Sequence, residues 1–127
     1  MTTFQQTVVL LVEDDDPTRE LYRSALHMAG FSVLAAADGV SALQIVERHT
    51  PDALVIDVGL PLMSGMAVIE ELHVSELTRG FPIVIVTGLT IDRPPDVAAL
   101  LTKPIDPYHL VQEVRKVLRR ARHAPQL

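Results

Sequence analysis

The sequence predicts an α/β fold, a three-layer α/β/α sandwich, and three observations carry that prediction. Four apolar runs of strand length each end in a chemically capable residue: VVLLV in Glu13 and Asp14, ALVI in Asp57, IVIV in Thr87 and AALLT in Lys103. The runs are continuous in apolar character, as expected of strands covered on both faces by helices. Amphipathic segments of helical period alternate with them at short spacing, the signature of parallel strands joined by crossover helices.

Each element has a local reason. Val8 to Val12 opens with two β-branched residues and reads as the first strand. Pro17 to Met28 reads as a helix, with Asp15 or Asp16 as N-cap, Pro17 in the first turn and Gly30 as the stop. Ser32 to Ala36 is a second short strand, and Gly39 to His49 an amphipathic helix ended by Thr50-Pro51. Ala53 to Ile56 is the third strand. A loop from Gly59 to Gly65 is built around Pro61, after which Ser64 caps a helix with Met66, Val68, Ile69 and Leu72 inward. Gly80 and Pro82 introduce the fourth strand, Ile83 to Val86. The segment GLTIDRPPDV contains Pro94-Pro95, which removes donors and bars the preceding residue from a helix, so a loop or single turn is expected there. A fifth strand then starts near Val97. Asp106 and Pro107 suit the start of a final helix, along which Leu110, Val111, Val114, Val117 and Leu118 form one stripe.

Composition narrows the function classes. The chain has 127 residues, is 48% hydrophobic and carries a formal net charge of −5, so one domain with a substantial core is expected and no diffuse basic field draws nucleic acid or acidic lipid. There is no cysteine, which excludes disulfides, thiolate catalysis and cysteine-bound zinc. MTTFQQT lacks the pattern of a signal peptide and no apolar stretch has membrane-spanning length, so a cytoplasmic domain over residues 1–123 is expected, with 124–127 as a frayed tail. Arg119, Arg120 and Arg122 complement the carbonyl end of the final helix. Five scattered histidines lack metal-ligand spacing.

Ligand sites of open α/β sheets lie at the carboxyl ends of the strands, so the residues that end the runs converge at one rim. Glu13, Asp14 and Asp57 would repel one another there. A hard divalent cation relieves that repulsion, and Mg²⁺ held by carboxylates, a carbonyl and retained water fits the donor set. A carboxylate beside such an ion can attack a phosphoryl group when cationic and hydroxyl groups meet the charge on the transferring oxygens, roles open to Lys103 and Thr87. Asp15 and Asp16 are explained by helix capping alone.

With these residues in view, the chain resembles the receiver domain of two-component response regulators over nearly its whole length. VVLLVEDDDPTRELY is similar to the family's first strand and acid pair, PDALVIDVGLPLMSG to its phosphoacceptor strand and loop, PIVIVTG to its fourth strand, and TKPID to the lysine and proline after its fifth. The resemblance implies a flavodoxin-like five-stranded parallel sheet in the order 2-1-3-4-5 and phosphorylation at Asp57. It implies direct ligation of Mg²⁺ by Asp14, a role for Glu13 mainly through metal-bound water, a backbone carbonyl from Gly59, phosphate contacts by Thr87 and Lys103, and a Lys103-Pro104 peptide that is often cis. The implied donor is a histidine kinase or phosphotransfer protein, and the reader of the phosphorylated state is another, unidentified protein. No direct nucleic-acid or membrane partner is expected, and a homodimer stays open. Catalysis is expected only as self-phosphorylation and autodephosphorylation.

Two departures from the family bear on output. The segment between Thr87 and Lys103 is short, so the crossover helix there is expected to be shortened or absent, and Leu100 stands where the family has an aromatic switch residue whose hydrogen bonding leucine cannot repeat. The live alternative is a receiver fold that serves as a protein-interaction module independently of phosphorylation. A magnesium phosphatase of the haloacid-dehalogenase type needs a second aspartate where Gly59 stands. A flavodoxin-like cofactor protein needs a phosphate-cradling loop where Glu13 to Asp16 would repel phosphate.

Overall fold

The computed structural model describes residues 6–75 and 81–123. Among these described residues nine elements follow in order: β1 (Val8–Val12), α1 (Asp16–Met28), β2 (Ser32–Ala36), α2 (Gly39–Arg48), β3 (Ala53–Ile56), α3 (Gly65–Val74), β4 (Ile83–Thr87), β5 (Ala99–Thr102) and α4 (Pro107–Arg122). The five strands form one parallel sheet in the order β2-β1-β3-β4-β5, as the resemblance implied. Gly80 and the 124–127 tail lie outside the described residues.

Successive strand residues point to opposite faces of a sheet, and here each face meets its own pair of helices. Leu10, Val12, Leu54, Ile56, Ile83 and Ile85 pack with Ala42 and Val46 of α2 and with Val68, Ile69 and Leu72 of α3. Val9, Leu11, Val55, Val84 and Val86 pack with Tyr22 and Leu26 of α1 and with Leu110, Val111, Val114, Val117 and Leu118 of α4. The helix starts are those the sequence offers. Asp15, Asp38, Ser64 and Asp106 are N-caps, and each side chain accepts a backbone N–H of the first turn. Gly30, with φ +102°, supplies the left-handed turn after α1 that a side chain would disfavour.

Between β4 and β5 there is no helix. Pro94 accepts the Val97 N–H at 3.1 Å in a single turn, and Arg93 donates to the Val97 carbonyl at 2.5 Å. Val97 is buried and Ile91 packs against the α2/α3 face of the sheet, so two apolar side chains of an irregular segment do the covering that a crossover helix would do. Leu100 pairs in register with Ile85 and packs on the same face, a core role.

Four boundaries or orientations differ from the sequence reading. The fifth strand starts at Ala99, not near Val97, because Val97 is spent on closing the turn. β4 extends one residue further, to Thr87, which pairs with Thr102. α2 stops at Arg48, with His49 as an extended C-cap ahead of Thr50-Pro51. Met66 is exposed, not inward, since the buried face of α3 is completed by Gly65, Val68, Ile69 and Leu72.

Candidate acidic phosphoacceptor site

The parallel register carries the reactive residues to one rim. Glu13 and Asp14 follow β1, Asp57 follows its neighbour β3, Thr87 ends β4, and Lys103 follows β5, whose Lys103 N–H donates to the Thr87 carbonyl at 2.8 Å. Glu13, Asp14 and Asp57 each offer a carboxylate oxygen, and these oxygens lie within 4.8 Å of one another. Lys103 closes the group: its Nζ donates to Asp57 Oδ2 at 2.6 Å and also to Glu13 Oε1. The Lys103-Pro104 peptide is cis.

Burial grades the three acids. Glu13 is only 2% exposed, Asp57 is half-buried and Asp14 is exposed. Burial dominates at Glu13 and holds its carboxyl above the ordinary range. Burial also pushes Asp57 up, but the Lys103 ammonium and the Gly59 N–H, which donates to Asp57 Oδ1 at 3.1 Å, outweigh it and hold that carboxyl low. The Lys103 ammonium and the Gly59 N–H thus favour the ionised form of Asp57, the state a nucleophile needs. Burial alone would lower Lys103, yet its hydrogen bonds to Asp57 and Glu13 raise it, so the ammonium stays charged. Beneath these groups, between Tyr22, Val55 and Val86, the space is only about 10 Å³, at the lower limit for a single water.

The cluster thus unites Glu13, Asp14, Asp57 and Lys103. Thr87 is on the same rim but its hydroxyl accepts the Leu89 N–H at 3.1 Å, a local bond that leaves the hydroxyl proton free to donate. Gly59 contributes its N–H to Asp57 in addition to the carbonyl expected of it. Two residues that the sequence reading left without a role acquire one here. A Cβ on Gly65 would sit 2.1 Å from the Asp57 backbone oxygen, so a glycine is required for α3 to start against the end of β3. Arg19 donates to the Glu13 carbonyl at 2.9 Å. Its six-residue spacing from Glu13 was the available signal, without a role attached.

A family-wide sequence profile described as response regulator receiver domain matches residues 9–115. The chain belongs to that family. This receiver domain is 36% identical to the transcriptional regulatory protein CseB of Streptomyces avermitilis, over 94% of its own length and 52% of that protein. It is 31% identical to the DNA-binding dual master transcriptional regulator RpaA of a Synechocystis strain, over 93% of its length and again 52% of the relative. The receiver domain of the sensor histidine kinase PA1611 from Pseudomonas aeruginosa, solved with magnesium coordinated in its active-site cleft, superposes with a TM-score of 0.82 at 27% identity, over 91% of this chain and 99% of that one.

The relatives correct one expectation. Nucleic acid was excluded from the partners on charge, whereas the relatives are transcriptional regulators and one is named as DNA-binding. The charge balance speaks only for these 127 residues, and the chain spans about half the length of these two relatives. Among the described residues no helix is long and apolar enough to cross a membrane.

Proposed function

We propose that this receiver domain accepts a phosphoryl group on Asp57 from a phosphohistidine of a histidine kinase or phosphotransfer protein in the cytoplasm. A carboxylate oxygen of Asp57 attacks phosphorus, the P–N bond breaks, and its electron pair returns to the imidazole, which takes up a proton. The product is an acyl phosphate, which water later cleaves to free phosphate and the original carboxylate. The observation that carries this reading is the shared ammonium: Lys103 sits on Asp57 at 2.6 Å and on Glu13, so the nucleophile is ionised and a cation is already aimed at the transferring oxygens. Lys103 pairs with one phosphoryl oxygen and the Thr87 hydroxyl donates to another. The donor set fits Mg²⁺, with Glu13, Asp14, Asp57 and the Gly59 carbonyl holding it. When bound, the ion supplies charge neutralisation for the phosphoryl oxygens. Given the relatives' names, the phosphorylated surface serves transcriptional control.

The test is incubation with acetyl phosphate and Mg²⁺, read by intact mass: one phosphoryl adduct on the wild type and none on Asp57→Ala. Repeated absence of the wild-type adduct favours a second reading, a phosphorylation-independent interaction module. What speaks for that alternative is the helix-free 88–98 segment together with core-packed Leu100, which puts no aromatic side chain at the position of the family's switch residue.

A further inference from the structure

The turn from Glu13 to Asp16 holds four consecutive acids, of which Asp15 caps α1 and Asp16 lies in its first turn. Lys103 acts from inside, on the carboxylates of Glu13 and Asp57. From outside, the Arg19 guanidinium bridges the two ends of the turn: Nη1 donates to the Glu13 carbonyl at 2.9 Å and Nη2 to Asp16 Oδ1 at 2.6 Å. The Asp16 arm is a solvent-facing pair, with the aspartate side chain 82% exposed, and such pairs contribute little to stability. The carbonyl arm differs in kind. β1 spends its last ladder bonds at Val12 O and Glu13 N, and the described Glu13 carbonyl accepts from Arg19. That bond holds the carbonyl side of the peptide plane between Glu13 and Asp14, whose N–H side is held by donation to Glu13 Oε2 at 3.1 Å, and the plane sets the directions in which both carboxylates leave the backbone.

We propose that Arg19 is a positioning residue for the divalent cation, its planar fork holding the Glu13–Asp14 peptide so that their carboxylates face Asp57. This rests on the reading of the acidic cluster as a Mg²⁺ site. Electrostatics alone makes the opposite prediction: Arg19 is itself a cation near the cluster, so deleting it would tighten Mg²⁺ binding. Positioning predicts that deletion weakens it, by about tenfold, the size typical for groups that orient metal ligands. Lysine keeps the charge but offers a compact ammonium in place of a fork, so it does not restore the affinity.

Mg²⁺ affinity of the wild type, Arg19→Ala and Arg19→Lys is measured by calorimetric titration, with circular dichroism to check folding. The expected result is weaker binding in both variants. In acetyl phosphate labelling, the Mg²⁺ concentration for half-maximal rate rises while the rate at saturating Mg²⁺ stays near wild type, which structural collapse would not give. Unchanged or tighter binding by Arg19→Ala, or full wild-type affinity in Arg19→Lys, overturns the inference. Absence of Mg²⁺ binding by the wild type overturns the metal reading on which it rests, and is distinguishable because no variant is involved.

Discussion

At the scale of single residues, the site is a balance between crowded acids and one ammonium, and the sign of that balance can be tested with pH. Asp57 is held below its ordinary carboxylate value of 3.8 by Lys103 and Gly59 against the opposing effect of burial, so its contribution to stability is present above that value and is lost as acid protonates it. Lys103→Met reverses the situation: two carboxylates, one almost fully buried, are left without a cation and both shift upward. The variant is expected to lose roughly 2 kcal/mol at pH 7 in chemical denaturation without Mg²⁺, less than the cost of breaking a fully buried pair because Lys103 is partly solvated. Because the folded pKa values now exceed the unfolded ones, this deficit shrinks as the pH falls toward 4.5 and below. A deficit that stays constant with pH would show that the ammonium acts by packing. Gly65→Ala tests geometry instead of charge. Its new Cβ meets the Asp57 carbonyl at 2.1 Å, so the loop after β3 must move. Both thermal stability and the rate of acetyl phosphate labelling are expected to drop.

At the scale of elements, much of the fold was legible because helix starts announce themselves locally. Three of the four described helices begin at a capping side chain read from the sequence, Asp38 of α2 being the one not named there, and Ser64 illustrates the energetics: its hydroxyl accepts the Ala67 N–H at 3.1 Å. Ser64→Ala is expected to cost about 1 kcal/mol in urea denaturation, and Ser64→Asp to cost little, because aspartate offers the same acceptor. The 88–98 segment shows where local reasoning holds and where it stops. Pro94-Pro95 forbade a helix, correctly, but nothing local said that Val97 and Ile91 would fill the space against the sheet. Burial of Val97 predicts that Val97→Ala costs about 2 kcal/mol, measured by denaturation, whereas Val97→Ile costs less than half that. Met66 was misjudged for a related reason. A helix that starts against the β3 strand with a glycine turns its stripe by the demands of that contact, which periodicity does not encode.

At the scale of the whole molecule, the sheet is a lever that converts strand ends into a site. Four strand ends far apart in sequence meet because parallel pairing aligns them, and the ion pair of Lys103 with Glu13 spans 90 positions. Mg²⁺ bound to the folded state and absent from the unfolded chain raises stability by RT ln(1 + [Mg²⁺]/Kd), about 2.7 kcal/mol at a hundredfold excess over Kd. The melting temperature of the wild type is therefore expected to rise with added Mg²⁺, and that of Asp57→Ala to rise much less. An equal rise in both proteins would place the ion elsewhere.

By itself the sequence determined the alternation of elements, the identity of the acids, hydroxyl and lysine at the strand ends, and the loss of a crossover helix, because apolar runs, caps and prolines act over a few residues. Only the tertiary structure decided that Lys103 bridges Glu13 and Asp57, that burial holds the Glu13 carboxyl high while Lys103 and Gly59 hold that of Asp57 low, that Gly65 is pressed against the Asp57 carbonyl, and that Arg19 clamps the acidic turn. Those facts depend on distances between segments and on how far each group is removed from water, and neither exists until the sheet has closed and its helices have packed on both faces.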